Sequence, residues 1–448
     1  MSTSLLIIGG GLAGCEAALT AASLRVPVLL VEMKPLAYTP AHSYPLLGEL
    51  VCSNSLRSDD PASAVGLLKL EMSLLGSWVM RAARATAVAA SKALAVDRQA
   101  FANWLDQAVR AHSLITLEQE AVTRLPGQGL CVLATGPLTT PELAAELQKI
   151  TGQDGLHFYD AIAPIVSADS VDMGRAFWAD RYGDGPGDYL NCPLEKHEWQ
   201  AFYQALTTAE QVPLKDFENP RFFEGCLPIE VMAARGEKTL LFGPMKPVGL
   251  TDPLSGRRPY AVVQLRKEDH QGRLLNLVGC QTKLTYTAQE RVFRLIPALV
   301  RAEFARLGSI HRNTFLDAPR LLTSDLCLKA APHIYVAGQL SGVEGYLESS
   351  ASGLLCGLNA ARRTLGQPPL LPPPTTALGG LLSHLGNNVT KDFQPSNINF
   401  GLLPPLSPQV GCLGKKERYK ELARRALGDL GVWMAEQGLT PAQELPRL

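Results

Sequence analysis

The chain has 448 residues with Lys+Arg and Asp+Glu at 42 each. That length supports two or three structural units, and the zero balance removes any whole-molecule attraction to polyanions, so a nucleic-acid partner must be met by a local basic patch. Nine cysteines, at 15, 52, 131, 192, 226, 280, 327, 356 and 412, form an odd set without a C-x-x-C pair, which argues against a disulfide framework and a zinc ribbon. No apolar run approaches membrane-spanning length, and the apolar start lacks the basic residues of a secretory leader, so a cytoplasmic location is expected.

From the amino terminus, the apolar run 5–8 reads as a buried strand, and the turn after it holds Gly9, Gly10, Gly11, Leu12, Ala13 and Gly14 in G-x-G-x-x-G spacing. A second apolar run, 26–31, ends in Glu32. Strand, glycine turn, helix, strand and terminal acid in that order suit a dinucleotide. Gly9 permits the tight turn, Gly11 lets a pyrophosphate approach the backbone, Gly14 lets helix and strand pack closely, and Glu32 accepts from ribose hydroxyls. The helix amino terminus faces the phosphates.

Residues 33–63 read as a long irregular region, followed by helical periodicity over 64–84 and 99–111 and strands at 114–117 and 129–134, the latter running into Thr135 and Gly136. Between 167 and 286 the pattern changes to β-like runs (239–242, 261–265, 274–278) separated by Gly and Pro turns. A helix at 288–295 and a strand at 333–337 restore the α/β pattern; 367–374 is a proline-rich linker, and 415–437 is a last amphipathic helix. The expected architecture is α/β. A Rossmann-type unit is formed by 1–166 and 287–374, an inserted sheet-containing α+β unit spans 167–286, and a tail, 375–448, packs its basic helix on the Rossmann unit.

The glycine turn, the Ala134-Thr135-Gly136 end of a middle strand and the Ala337-Gly338 end of a late one make a three-part pattern that resembles FAD enzymes built like glutathione reductase. The chain departs from it with Gln339 where Asp is usual, and a second G-x-G-x-x-G for a resident nicotinamide cofactor is absent. The strings VCSNSLR (51–57), YLNCP (189–193), LLFGPMKPVGLTDP (240–253), HRNTF (311–315) and VAGQLSGVEGYLESSASGLLCGLNAAR (336–362) resemble the folate- and FAD-dependent tRNA uracil-5-methyltransferases, the TrmFO family. The AGQ-containing core is also similar to the related wobble-uridine modifiers called GidA or MnmG. The TrmFO resemblance implies methylenetetrahydrofolate as carbon donor, bound FAD as carrier and reductant, NADPH or NADH to restore the flavin, and ribothymidine (5-methyluridine) at the T-loop uridine, position 54, of tRNA. It implies no membrane and no obligate protein partner. The alternatives are an NAD(P)H-dependent flavin oxidoreductase and a GidA-type wobble-uridine enzyme.

Uracil C5 becomes nucleophilic only after addition at C6, a step suited to a soft thiolate. Carried over by motif, Cys226 in FFEGCLPIE is the nucleophile toward C6, and Cys52 is the thiol beside the flavin. By the same resemblance Gly338 and Gln339 stand at the flavin end, where the following helix points its amino terminus at the ring, and Tyr346 stacks on flavin or pterin. His311 and Arg312 are candidates for folate carboxylates or a phosphate, and residues 244–247 for contact with either substrate. For the tRNA, basic candidates are KKERYKELARR (415–425) and the group Arg257, Arg258, Arg266 and Lys267.

Overall fold

The computed structural model describes residues 4–153, 156–181, 187–213, 227–387, 393–407 and 414–444. Two buried apolar clusters organise it. The first gathers side chains from Leu5 to Leu147 and again from Phe315 to Met434 around a six-stranded sheet. In spatial order its strands are Cys327–Leu328, Ala331–Val336, Cys131–Leu133, Leu5–Ile8, Val28–Glu32 and Ile115–Gln119. All neighbours are parallel except the first pair. Parallel strands covered on both faces read as unbroken apolar runs rather than alternations, as Cys131, Val132 and Leu133 do, all fully buried. Helix Leu12–Ser23 and helix Tyr346–Thr364 lie against each other so closely that a β-carbon on Gly353 or Gly357 would strike the backbone of Ala13 or Ala17. The small residues of the long late helix are what that approach requires.

The second cluster runs from Val166 to Ala302. It packs on an antiparallel sheet ordered Phe177–Ala179, Tyr189–Leu194, Ala261–Lys267, Leu274–Leu277, Ile165–Ser167, Phe304–Arg306. Its packing continues past residue 286 through Ala288, Val292 and Phe293 of helix Tyr286–Phe293. The α/β class, with a Rossmann-type sheet and a second sheet-containing unit, is the one the sequence pattern implied.

Local departures have local causes. The run 239–242, expected as β, is the end of helix Glu237–Phe242; four apolar residues are too few for periodicity to separate helix from strand. Helix Lys196–Thr208 was legible but unread. Trp199, Phe202 and Leu206 sit at helical spacing and are fully buried, and Glu195 and Glu198 form a capping box at its start. The irregular region 33–63 contains a strand, Ser55–Ser58, paired antiparallel with Ala93–Val96.

Helix Lys415–Glu436 turns Leu422, Ala426, Leu430 and Met434 into the first cluster, leaving Lys415, Lys416, Arg418, Lys420 and Arg424 outside, while Arg425 is half-buried and donates to the Pro404 and Pro405 carbonyls. Among the described residues no helix is long and apolar enough to cross a membrane.

Candidate functional site

The glycine turn builds one wall of a cleft. Gly9 adopts φ +102°, and a β-carbon there would come within 2.5 Å of the Ala134 carbonyl oxygen, so the turn closes on the neighbouring strand. At Gly14 a β-carbon would collide with the Gly9 carbonyl. At Gly11 it would meet nothing within 4 Å, because that side opens into the cleft. Helix Leu12–Ser23 starts at Gly11 with no side-chain cap, leaving its first amides free to face an anion. Glu32 is buried and holds the turn: its Oε2 accepts from the Gly10 amide at 2.5 Å and its Oε1 from the Lys34 amide at 3.0 Å.

The cleft contains about 1150 Å³ of space open to solvent. Gly9, Gly11, Leu12, Ala13, Glu32, Thr135, Gly136, Gln339 and Tyr346 line it, as does Gly338, which stands next to Ala13. Gly10 and Gly14 do not line it; they set the turn and the helix packing. A second cavity of about 1190 Å³ abuts the first and shares Val51, Pro137, Leu138, Gln339, Tyr346 and Ser349 with it. Cys52, Asp160, His311 and Glu344 lie in its walls. Among the described residues Cys52 is the one cysteine that is not buried.

The family model described as "Glucose inhibited division protein A" matches residues 4–368. A Geobacter sulfurreducens protein named methylenetetrahydrofolate--tRNA-(uracil-5-)-methyltransferase TrmFO is 55% identical over 436 residues, covering 97% of this chain and 100% of that one. A Geotalea uraniireducens protein of the same name is 56% identical over 431 residues, covering 96% and 98%. The chain belongs to the TrmFO family. Its fold is also similar to Aquifex aeolicus GidA, with TM-score 0.68 at 16% identity, covering 97% of this chain and 76% of that one.

In this TrmFO-family chain the segment around Cys52 is clamped from several directions. The Tyr346 hydroxyl accepts from the amides of Cys52 (2.7 Å) and Ser53 (3.2 Å) and lies 2.9 Å from the Cys52 sulfur. Arg98 donates to the Leu50 carbonyl (2.5 Å) while paired with Glu268 (2.7 Å), and Arg306 donates to the Val51 carbonyl (2.8 Å). Arg266 reaches Ser53 Oγ and Asn54 Oδ1, both at 2.9 Å. Burial, reinforced by the Asp160 charge, pushes the Cys52 thiol up to about 12, against the pull of the Tyr346 hydroxyl and Arg98. This thiol is therefore protonated at neutral pH until a ligand or a base changes its surroundings.

Tyr346 thus has a positioning hydroxyl, and the residue lines both cavities. Gln339 opens a short 3₁₀ turn, Gln339–Ser341, and donates through Nε2 to Glu344; the helix expected to follow directly begins only at Tyr346. His311 and Arg312, paired in the sequence reading, part company. On strand Ile310–Phe315 successive side chains alternate, so His311 lines the Cys52 cavity while Arg312 lines a separate cleft with His157. Burial, with Arg306 nearby, lowers the His311 pKa and keeps it neutral. Met245 of the 244–247 segment is buried in the second cluster. Arg266 serves the Cys52 loop, whereas Arg257 and Arg258 are exposed. Cys226 lies outside the described residues.

Sequence reasoning missed Arg98, Arg306, Asp160 and Glu344. Only Glu344 had a signal, its place in the VEGY string. The others come from strands and helices whose convergence no local pattern records.

Proposed function

We infer that this chain is a methylenetetrahydrofolate–tRNA (uracil-5-)-methyltransferase that uses FAD and an NADH or NADPH reductant to form 5-methyluridine at the T-loop uridine. Kinship over nearly the whole chain with proteins so named supports the activity. The observation that carries the site is the continuity of the dinucleotide cleft, past Gln339 and Tyr346, into the cavity holding Cys52. The cleft fits FAD: the space before Gly11 would be filled by a side chain, the helix amides above it are uncapped, and Glu32 stands at the ribose end. When bound, FAD supplies the carrier and reductant for the one-carbon unit.

The protein's own part is placement and protonation. The Leu12 and Ala13 amides would hold phosphate, Gly338 and Gln339 would border the bound cofactor, and the Tyr346 hydroxyl holds the Cys52 segment in the adjoining cavity. Cys226, assigned by its motif, adds to uracil C6. The test is a tRNA transcript incubated with the protein, carbon-labelled methylenetetrahydrofolate and NADPH. The label is expected in T-loop 5-methyluridine, and Cys226→Ala is expected to abolish it with FAD retained. Labelling only from S-adenosylmethionine would overturn the assignment.

A further inference from the structure

We propose that Asp160 and Glu344 act as a carboxylate pair that removes the C5 proton of the target uracil. The proposal rests on the methyltransferase reading above. Methylation at C5 cannot finish without it: after a thiolate has added to C6 and C5 has bonded to the one-carbon unit, C5 still carries its hydrogen. A base must break that C–H bond, the electron pair staying on the ring and the proton passing to a carboxylate oxygen.

Both carboxylates stand in the wall of the Cys52 cavity. Asp160 is on strand Leu156–Ala161, directly opposite His311 in the antiparallel register, so the two share one face of the hairpin. Glu344 sits in the turn between Gln339–Ser341 and helix Tyr346–Thr364, is 5% exposed, and accepts from Gln339, which also borders the dinucleotide cleft. Glu344 is thereby tied to a residue that lines both cavities, and Asp160 lines the cavity that holds Cys52.

The surroundings favour proton uptake at Glu344. Burial first and the Asp160 charge second raise the Glu344 carboxyl well above its ordinary range. Gln339 and Arg57 pull the other way, but Arg57 is engaged with Glu348, a further carboxylate whose charge also raises Glu344. A carboxylate whose burial and charged neighbours favour its protonated form is a stronger proton acceptor than one in water. The other groups facing the cavity are poorer bases or are occupied. The Cys52 thiol is protonated, and His311 is bonded to Ser309 through Nε2 at 3.0 Å.

The experiment uses the FAD-loaded full-length protein, methylenetetrahydrofolate, NADPH and tRNA carrying tritium at uridine C5, in single turnover. Asp160→Asn and Glu344→Gln are each expected to slow tritium release by about 100-fold or more, with FAD content unchanged. Asp160→Glu should recover part of the rate with a shifted pH profile. With 5-fluorouridine tRNA, whose C5 fluorine cannot leave as a proton, both amide variants should still form the covalent RNA–protein complex at the wild-type rate, because the earlier steps do not use the pair. Tritium release at the wild-type rate in Asp160→Asn, or failure of the variants to form the 5-fluorouridine complex, would overturn the proposal. If wild type forms no 5-methyluridine at all, the methyltransferase reading itself fails.

Discussion

Gly11 and Gly14 stand three positions apart in one turn, yet a β-carbon at each meets opposite surroundings: open cleft at the first, the Gly9 carbonyl at the second. Gly11→Leu should therefore leave the melting temperature of the apoprotein near wild type and abolish FAD retention. Gly14→Leu should cost about 1–3 kcal/mol or more through overpacking. Absorbance at the flavin band and thermal unfolding of both variants separate the two effects, and loss of fold in Gly11→Leu would contradict the geometry. The cysteines divide in the same way. Cys131 and Cys356 are fully buried, so replacing either by Ala should cost about 1 kcal/mol with near-normal turnover. Cys52, bordering the open cavity, should be alkylated slowly at neutral pH and faster as pH rises toward its pushed-up value, since only the thiolate reacts. Rapid alkylation at neutral pH would show that the site stabilises the thiolate.

At the scale of elements, helix ends are held by carboxylates from distant helices. Glu16 of helix Leu12–Ser23 accepts from Ser77 and from the Trp78 and Val79 amides. Glu71 of helix Ala64–Leu74 accepts from the Ala377 and Leu378 amides at the start of helix Ala377–Asn387 (2.8 and 2.9 Å). Burial raises Glu71 from an ordinary carboxylate value to about 8, against the pull of those two amides. A carboxyl raised in the folded state favours folding fully below its unfolded pKa, and that contribution is lost as pH climbs from about 4.5 to about 8. Glu71→Gln removes the titration while keeping an acceptor, so the wild-type melting temperature should fall relative to the variant across that window. Parallel slopes for the two proteins would refute it. The glycine turn, both cofactor-bearing strand ends and the late small-residue helix were legible because each is a local pattern. The helix Glu237–Phe242 was not, its apolar run being too short to carry a period.

At the scale of the whole molecule, the dinucleotide cleft is lined from the first cluster's strands and helices, whereas the Cys52 segment is gripped from both units. Arg98 comes from helix Arg98–Ala111, and Arg266 and Arg306 from the second sheet. Arg266→Ala leaves Asn54 Oδ1 without its guanidinium partner and frees one side of the loop. It should lower methyl transfer by about tenfold or more, leave FAD content intact and speed alkylation of Cys52. Loss of FAD in that variant would mean that the second unit also builds the cofactor cleft. For the tRNA, the exposed Arg257 and Arg258 and the outward Lys415, Lys416 and Arg418 are the charges available to phosphates. Neutralising a pair that makes contact should reduce the salt slope of tRNA binding by about one to two.

The sequence by itself determined the dinucleotide turn, the α/β class, the family and the presence of a Cys52 motif, since each is written in neighbouring residues whose spacing is set by strand and helix periods. Only the tertiary structure decided that Tyr346 holds Cys52 through its hydroxyl, that His311 and Arg312 face different cavities, and that Asp160 and Glu344, 184 positions apart by number, line the same cavity. Those relations depend on strand register and on how two separately packed cores meet, and neither leaves a periodic trace along the chain.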